Sequence, residues 1–175
     1  KFFVESLWSS VPMAIGIPEF VGAQVKIGYV DSETIIQRLP EAQDAQRQLD
    51  ALVAGWQAEL QKMQSEWQRK YEDYDKKKLI MTDRTRAETE GGLMELEKKI
   101  ANYRNEKFGQ NGEMFKKQDE LMKPVHDKVF TAIQDVALEE DYDYVFDKSG
   151  DILLLYANEE YDLTQEVLSR LQERK

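Results

Sequence analysis

The spacing of apolar residues changes as the chain advances, and each change marks an element. Residues 25–30 (Val25, Ile27, Tyr29 and Val30 among Lys26 and Gly28) alternate in the manner of a short strand. Asp31 and Ser32 then offer an N-cap for a short helix over 33–39. Pro40 ends that helix and suits the first position of a new one. From 41 to 80 there is no proline, and Gly55 is the only glycine. Forty helical residues would extend about 60 Å. Apolar positions along this stretch are Leu49, Leu52, Trp56, Leu60, Met63, Trp67, Tyr71 and Tyr74. Their steps of 3, 4, 4, 3, 4, 4 and 3 form an eleven-residue repeat, which predicts a straight or slightly right-handed helix pair.

Residues 81–85 break that pattern. Thr82, Asp83 and Thr85 are N-cap types, and Thr85 with Glu88 fits a capping box. A second helix follows, and the short connection makes it antiparallel to the first. It carries Leu93, Leu96, Ile100 and Tyr103, then Met122, Val125, Val129, Ile133 and Val136. Gly91-Gly92, the 109–112 segment and Pro124 read as bends in it, with a true loop between two helices at 109–112 as the alternative. Near residue 140 the period drops to two. Tyr142, Tyr144 and Phe146, a turn at 148–151, and Ile152 to Tyr156 predict a β-hairpin. An amphipathic helix over 163–171 closes the chain, with Asp162 or Thr164 near its start.

These elements give an α+β fold in which a long antiparallel helical hairpin stands on a small β body. Residues 25–40 and 141–175 form the body, 41–140 the arm with its tip near 81–85, and 1–24 a separate N-terminal segment. Three short strands and two short helices cannot close a sizeable core alone. Subunits sharing a sheet would complete it, with Val25, Ile27, Tyr29, Tyr144, Phe146, Ile152, Leu154 and Tyr156 as the candidate oligomer surface. The arm has a related shortage, because two helices bury one stripe and no third layer covers the rest. Met63, Trp67, Tyr71, Met81, Met114 and Phe115 are the candidate contacts for a partner. Those on the stripe also serve as seam residues, so the off-stripe Met81, Met114 and Phe115 are the sharper candidates.

The charge is −10 for the whole chain. From 57 to 123 it is +1, which leaves −11 on the remainder. Such a balance excludes nucleic acid as a general partner. Lys76, Lys77, Lys78, Arg84 and Arg86 surround the tip and suit acidic clients or an anionic membrane surface. A solvated helix end with basic residues matching the dipole is the plainer alternative. The chain has no cysteine and one histidine, His126, so no thiolate or histidine-rich metal site and no cofactor is expected. The acidic run at Asp141, Asp143, Asp147 and Asp151 fails the EF-hand spacing, because Val145 and Ile152 occupy ligand positions; exposed strand positions explain it better. No nucleophile elbow or phosphate loop is present, and the chain reads as a non-enzyme. Residues 1–24 start basic, continue apolar and end in Val21-Gly22-Ala23-Gln24, which resembles a secretory signal with cleavage after Ala23.

The order of strand, short helix, long helical hairpin, hairpin strands and final helix resembles the Skp/OmpH family of periplasmic chaperones. Residues 26–31 (KIGYVD) are similar to the family's first strand, and Thr82-Asp83-Arg84-Thr85 lies at its tip position. Residues 142–149 (YDYVFDKS), Leu155-Tyr156-Ala157 and 161–168 (YDLTQEVL) are similar to its second strand, third strand and closing helix. The resemblance implies a homotrimer in which strands from three subunits build the body and three arms enclose a cavity. Unfolded outer-membrane proteins would be held there without ATP, in the periplasm of a Gram-negative bacterium. Well-known members are basic, whereas this chain is acidic with a near-neutral arm, so many weak apolar contacts are expected to carry the binding. A structural or adaptor protein with arms packed on one folded envelope partner is the alternative, and a prefoldin-like cytosolic chaperone is a third reading.

Overall fold

The computed structural model describes residues 25–150 and 154–173. The N-terminal segment 1–24 and Ile152 lie outside the described residues. The chain begins with β1 (Ile27–Val30) and turns into α1 (Ser32–Arg38). Asp31 caps α1 by accepting the Thr34 backbone N–H at 2.8 Å, and this satisfies one of the orphan donors of the first turn. Leu39 is extended, and Pro40 opens the 38-residue α2 (Pro40–Lys77). A helix of that length rises about 57 Å. A short turn leads into α3 (Asp83–Phe108), then come α4 (Glu113–Glu139), β2 (Tyr144–Asp147), a 3-10 turn at Glu159–Tyr161 and α5 (Thr164–Glu173).

β1 and β2 pair in parallel, Ile27 beside Tyr144 and Val30 beside Asp147. Parallel neighbours need a crossover connection, and here the crossover is α1 and the entire arm. The sheet therefore anchors both ends of the hairpin. One sheet face carries Val30 and Val145 into the core; there they meet Ile35 of α1, Val125, Val129, Ala132 and Val136 of α4, and Leu163, Val167, Leu168 and Leu171 around α5. The core is larger than strands and short helices alone would give, because the root of α4 lies within it. Ala42 of α2 joins the same cluster.

Several expectations are corrected. The second arm helix is capped by Thr82, whose hydroxyl accepts the Thr85 N–H at 3.2 Å, so Thr85 sits inside the first turn and is not the cap. The 109–112 segment is a true break between α3 and α4, whereas Gly91-Gly92 and Pro124 lie within continuous helix. Among the described residues the predicted hairpin forms only its first strand, and Leu154 to Tyr156 is unpaired. Asp147 is not on an exposed face. It turns inward and accepts from Ser32 N–H at 3.1 Å, Ser149 N–H at 3.0 Å and both hydroxyls.

The eleven-residue repeat also gives way. Covered positions on α2 are Leu49, Val53, Trp56, Leu60, Met63, Trp67 and Tyr74, and on α3 Arg86, Thr89, Leu93, Leu96, Ile100, Tyr103 and Lys107. Steps of four and three alternate from Leu49 to Trp67 and along α3, and Trp67 to Tyr74 spans seven residues, which is heptad spacing. Leu52 and Tyr71 fall on the flank at 39% and 41% exposure. The apolar spacing misleads here because Val53 takes the seam position beside the larger Leu52, and polar side chains (Arg86, Thr89, Lys107) complete the seam on α3.

Candidate functional site: the outer face of the sheet and the arm

The face of the sheet opposite the core carries Ile27, Tyr29, Tyr144 and Phe146, as alternation along paired strands requires. Val25, Ile27, Tyr29, Phe146, Leu154 and Tyr156 line one open groove together with Tyr161. Thus the structure gathers nearly all of the body residues expected from sequence; Tyr144 lies beside Ile27 at 61% exposure. Tyr29 is the exception in depth. It is buried at the groove floor, where burial and the neighbouring Asp162 carboxylate push its phenol above the ordinary range. Tyr161 was not singled out from sequence, because its place in a 3-10 turn has no periodic signal.

The rim of this face is held by a polar cluster. Lys148 lies 3.7 Å from Asp31 and 3.8 Å from Asp162, with its ammonium 5.6 Å from the centre of the Tyr29 ring. Leu163 N–H donates to the Tyr29 carbonyl at 2.9 Å, and Thr164 Oγ1 accepts from Asp31 N–H at 3.0 Å. These bonds fix the start of α5 against β1, so the uncovered apolar face sits on a rigid base.

On the arm, α2 packs along α3 distally and along α4 near the base. Trp67 and Tyr71 stack with ring centroids 5.1 Å apart and planes 9° apart, and Tyr74 follows at 6.4 Å from Tyr71. Met63, Trp67, Met81 and Met114 are half-buried, while Tyr71 and Phe115 are exposed. The six candidates therefore do not form one patch. They spread along the arm, most of them covered on one side by the seam and open on the other. Sequence reasoning missed the most exposed apolar side chains: Leu79 at 88% and Ile80 at 86% in the tip turn, Met94 on α3, and Phe130 and Leu138 on α4. All lie off the helical stripe, and off-stripe position was the signal available.

The tip cations are largely compensated. Lys77 pairs with Asp73 at 2.6 Å, Lys78 with Asp75 at 2.7 Å, and Arg84 with Glu88 at 2.9 Å. Arg86 donates to the Lys78 carbonyl at 3.0 Å, closing the end of the first helix. The hydrogen bond and charge of Asp75 hold the Lys78 ammonium above its ordinary pKa. Lys76 is exposed and, among the described residues, makes no ion pair. Elsewhere on the arm Lys62, Lys70, Lys116, Lys117 and Lys123 each meet an acid three or four residues away. His126 is exposed on α4, and no described helix is long and apolar enough to cross a membrane.

Comparison with known proteins agrees with this architecture. The chain is 26% identical over 163 residues to the chaperone protein Skp of Yersinia enterocolitica, covering 93% of this chain and 95% of the relative. It is 26% identical over 151 residues to the Skp of Pectobacterium atrosepticum, covering 86% and 88%. A crystal structure described as an OmpH-like outer membrane chaperone from Caulobacter crescentus superposes with a TM-score of 0.71 at 16% identity, covering 87% of each chain, which establishes a shared fold. The family model for outer membrane protein (OmpH-like) matches residues 26–171, and the chain therefore belongs to the OmpH-like family.

Proposed function

We propose that this chain is an ATP-independent holding chaperone for unfolded outer-membrane and envelope proteins in the periplasm. In this reading three copies join through the outer face of the sheet, and their arms surround the client. The observation that carries it is the distribution of uncovered apolar side chains on a charge-compensated arm. Tyr71, Leu79, Ile80, Met94 and Phe115 are all exposed and are spread from tip to root. A surface of separated apolar contacts suits a disordered, variable chain better than one folded partner, which needs a contiguous, complementary patch. The relatives named Skp are chaperones, and membership of the OmpH-like family supports the same role. Leu79, Ile80 and Lys76 form the part of the tip that would meet an anionic membrane surface.

The test is to dilute a urea-unfolded outer-membrane barrel protein into the purified chain and measure complexes by chromatography with light scattering. A soluble complex with the mass of three copies and one client is the expected result. A free oligomer beside an aggregated client would overturn the holding role and favour an adaptor that binds one folded partner.

A further inference from the structure

We propose that Asn111 is a site of spontaneous covalent modification, at which its side-chain amide is converted to aspartate and isoaspartate. The only co-reactant is water. The backbone nitrogen of Gly112 loses its proton and attacks Cγ of Asn111. The Cγ–Nδ2 bond breaks, ammonia leaves, and a five-membered cyclic imide forms. Water then opens the ring at either carbonyl. One opening gives aspartate with the main chain unchanged. The other gives isoaspartate, in which the main chain runs through the former side chain and is one methylene longer.

Three features single out this asparagine. Of the four in the chain, only Asn111 precedes a glycine, so no side chain shields the attacking nitrogen. It stands exposed in the break between α3 and α4, and among the described residues no hydrogen bond holds its amide. Packing keeps Gly112 a glycine. A Cβ there would lie 2.9 Å from the Glu106 and Lys107 carbonyl oxygens and from the Gly109 nitrogen. The fold thus retains the reactive pair. The other asparagines are restrained. Asn102 and Asn105 lie inside α3, where the following amides are bonded along the helix. Asn158 accepts the Glu160 N–H at 3.2 Å and caps the 3-10 turn. One contact slows Asn111: Gly112 N–H donates to the Gly109 carbonyl at 2.9 Å, and this bond must open before the nitrogen attacks. A single hydrogen bond of ordinary net strength slows the reaction about two- to tenfold relative to the free segment.

The product lies at the start of α4. Gly112 is the N-cap of that helix and offers no side-chain capping bond. A carboxylate at position 111 in an unaltered main chain suits the helix dipole. Isoaspartate instead lengthens a connection whose Gly112 is wedged against three backbone atoms, and so displaces the first turn of α4 with Met114 and Phe115. This last consequence rests on the holding role proposed above; the modification itself does not.

The test incubates the full chain in water enriched in oxygen-18 at pH 8 and at pH 6, beside a free peptide of residues 106–116. Both are digested in acid and followed by mass spectrometry. The fragment holding Asn111 should exchange its amide nitrogen for one heavy oxygen and split into two chromatographic products. It should form faster at pH 8, because the attacking nitrogen must lose its proton, and about two- to tenfold more slowly than in the free peptide. Asn102, Asn105 and Asn158 should stay intact. Asn111→Gln, whose longer side chain closes no five-membered ring, should abolish the change. Intact Asn111 in the chain while the free peptide reacts, equal conversion at all four asparagines, or aspartate without isoaspartate would overturn the proposal. A modified chain that holds clients as well as the parent would remove only the consequence for Met114 and Phe115; modification of a chain that holds no client would remove the chaperone reading alone.

Discussion

At the residue scale, Asp147 shows how one side chain ties distant parts of the chain together. Its carboxylate receives the Ser32 and Ser149 backbone N–H groups and both hydroxyls, joining the end of β2 to the start of α1 across 115 residues. Burial pushes its pKa up, but these hydrogen bonds outweigh burial and hold it below the ordinary value of 3.8. A pKa depressed by folding adds stability that is complete above the unfolded value and is lost as pH falls through the folded one. Asp147→Asn should therefore cost about 1.5–3 kcal/mol at neutral pH, the range for hydrogen bonds to a charged group. The gap between parent and variant should stay constant above about pH 5 and narrow below it. Urea denaturation at fixed protein concentration across pH 2.5–7 reads this directly; a gap that does not narrow in acid would show that charge is irrelevant there. The exposed apolar side chains of the arm lead to a different expectation. Replacing Met81, Met114 and Phe115 together by serine should weaken client holding by about a hundredfold, since each lost apolar contact contributes about 1 kcal/mol and each 1.4 kcal/mol is a factor of about ten. Oligomer mass should not change, because none of the three lies on the sheet. Undiminished holding in the triple variant would move the contact surface to Leu79, Ile80 and Met94.

At the element scale, the helices were legible where local chemistry decides them. Asp31 as a cap, Pro40 at a helix start and the threonine-rich tip are signals contained within a few residues, and the structure uses all three. What local chemistry does not contain was harder to read. Parallel pairing of β1 with β2 depends on contacts across more than a hundred residues. The choice of Val53 over Leu52 for the seam depends on the facing helix, and the inward turn of Asp147 depends on Ser32 at the distant start of α1. The candidate site was legible as residue types and as one face of the sheet, but not as exposure, since tip and helix-end side chains obey no period. The arm's charges add an element-scale prediction. Lys62, Lys70, Lys116, Lys117 and Lys123 are each met by an acid about one turn away, and such exposed pairs leave little net field for steering. Client affinity should change less than about threefold between low salt and 0.5 M, where the Debye length is about 4–5 Å. Loss of holding in high salt would instead indicate electrostatic capture, with Lys76 the first residue to substitute.

At the scale of the whole molecule, the decisive question is what covers the outer face of the sheet. Ile27, Tyr144, Phe146, Leu154, Tyr156 and Tyr161 are all exposed there, and burying a large apolar side chain fully contributes about 1.5–3 kcal/mol. A single chain leaves that energy unused; in the trimer proposed above, a second and third copy would recover it and set their arms side by side. The two faces of the sheet are separable by mutation because they alternate. Val30 and Val145 serve the chain's own core, whereas Phe146 serves the outer face between them in register. Phe146→Asp should therefore break the assembly without unfolding the chain. A charge cannot be buried there without a partner, yet the core of α1, α4 and α5 remains intact. Light scattering should fall to the mass of one chain, helical content by circular dichroism should be retained, and client holding should disappear because isolated arms enclose nothing. If the mass falls and holding survives, a single arm suffices and the cavity is unnecessary. If the mass of the parent already equals one chain, the outer face binds something other than copies of itself, and the enclosing-arm mechanism fails at its first step.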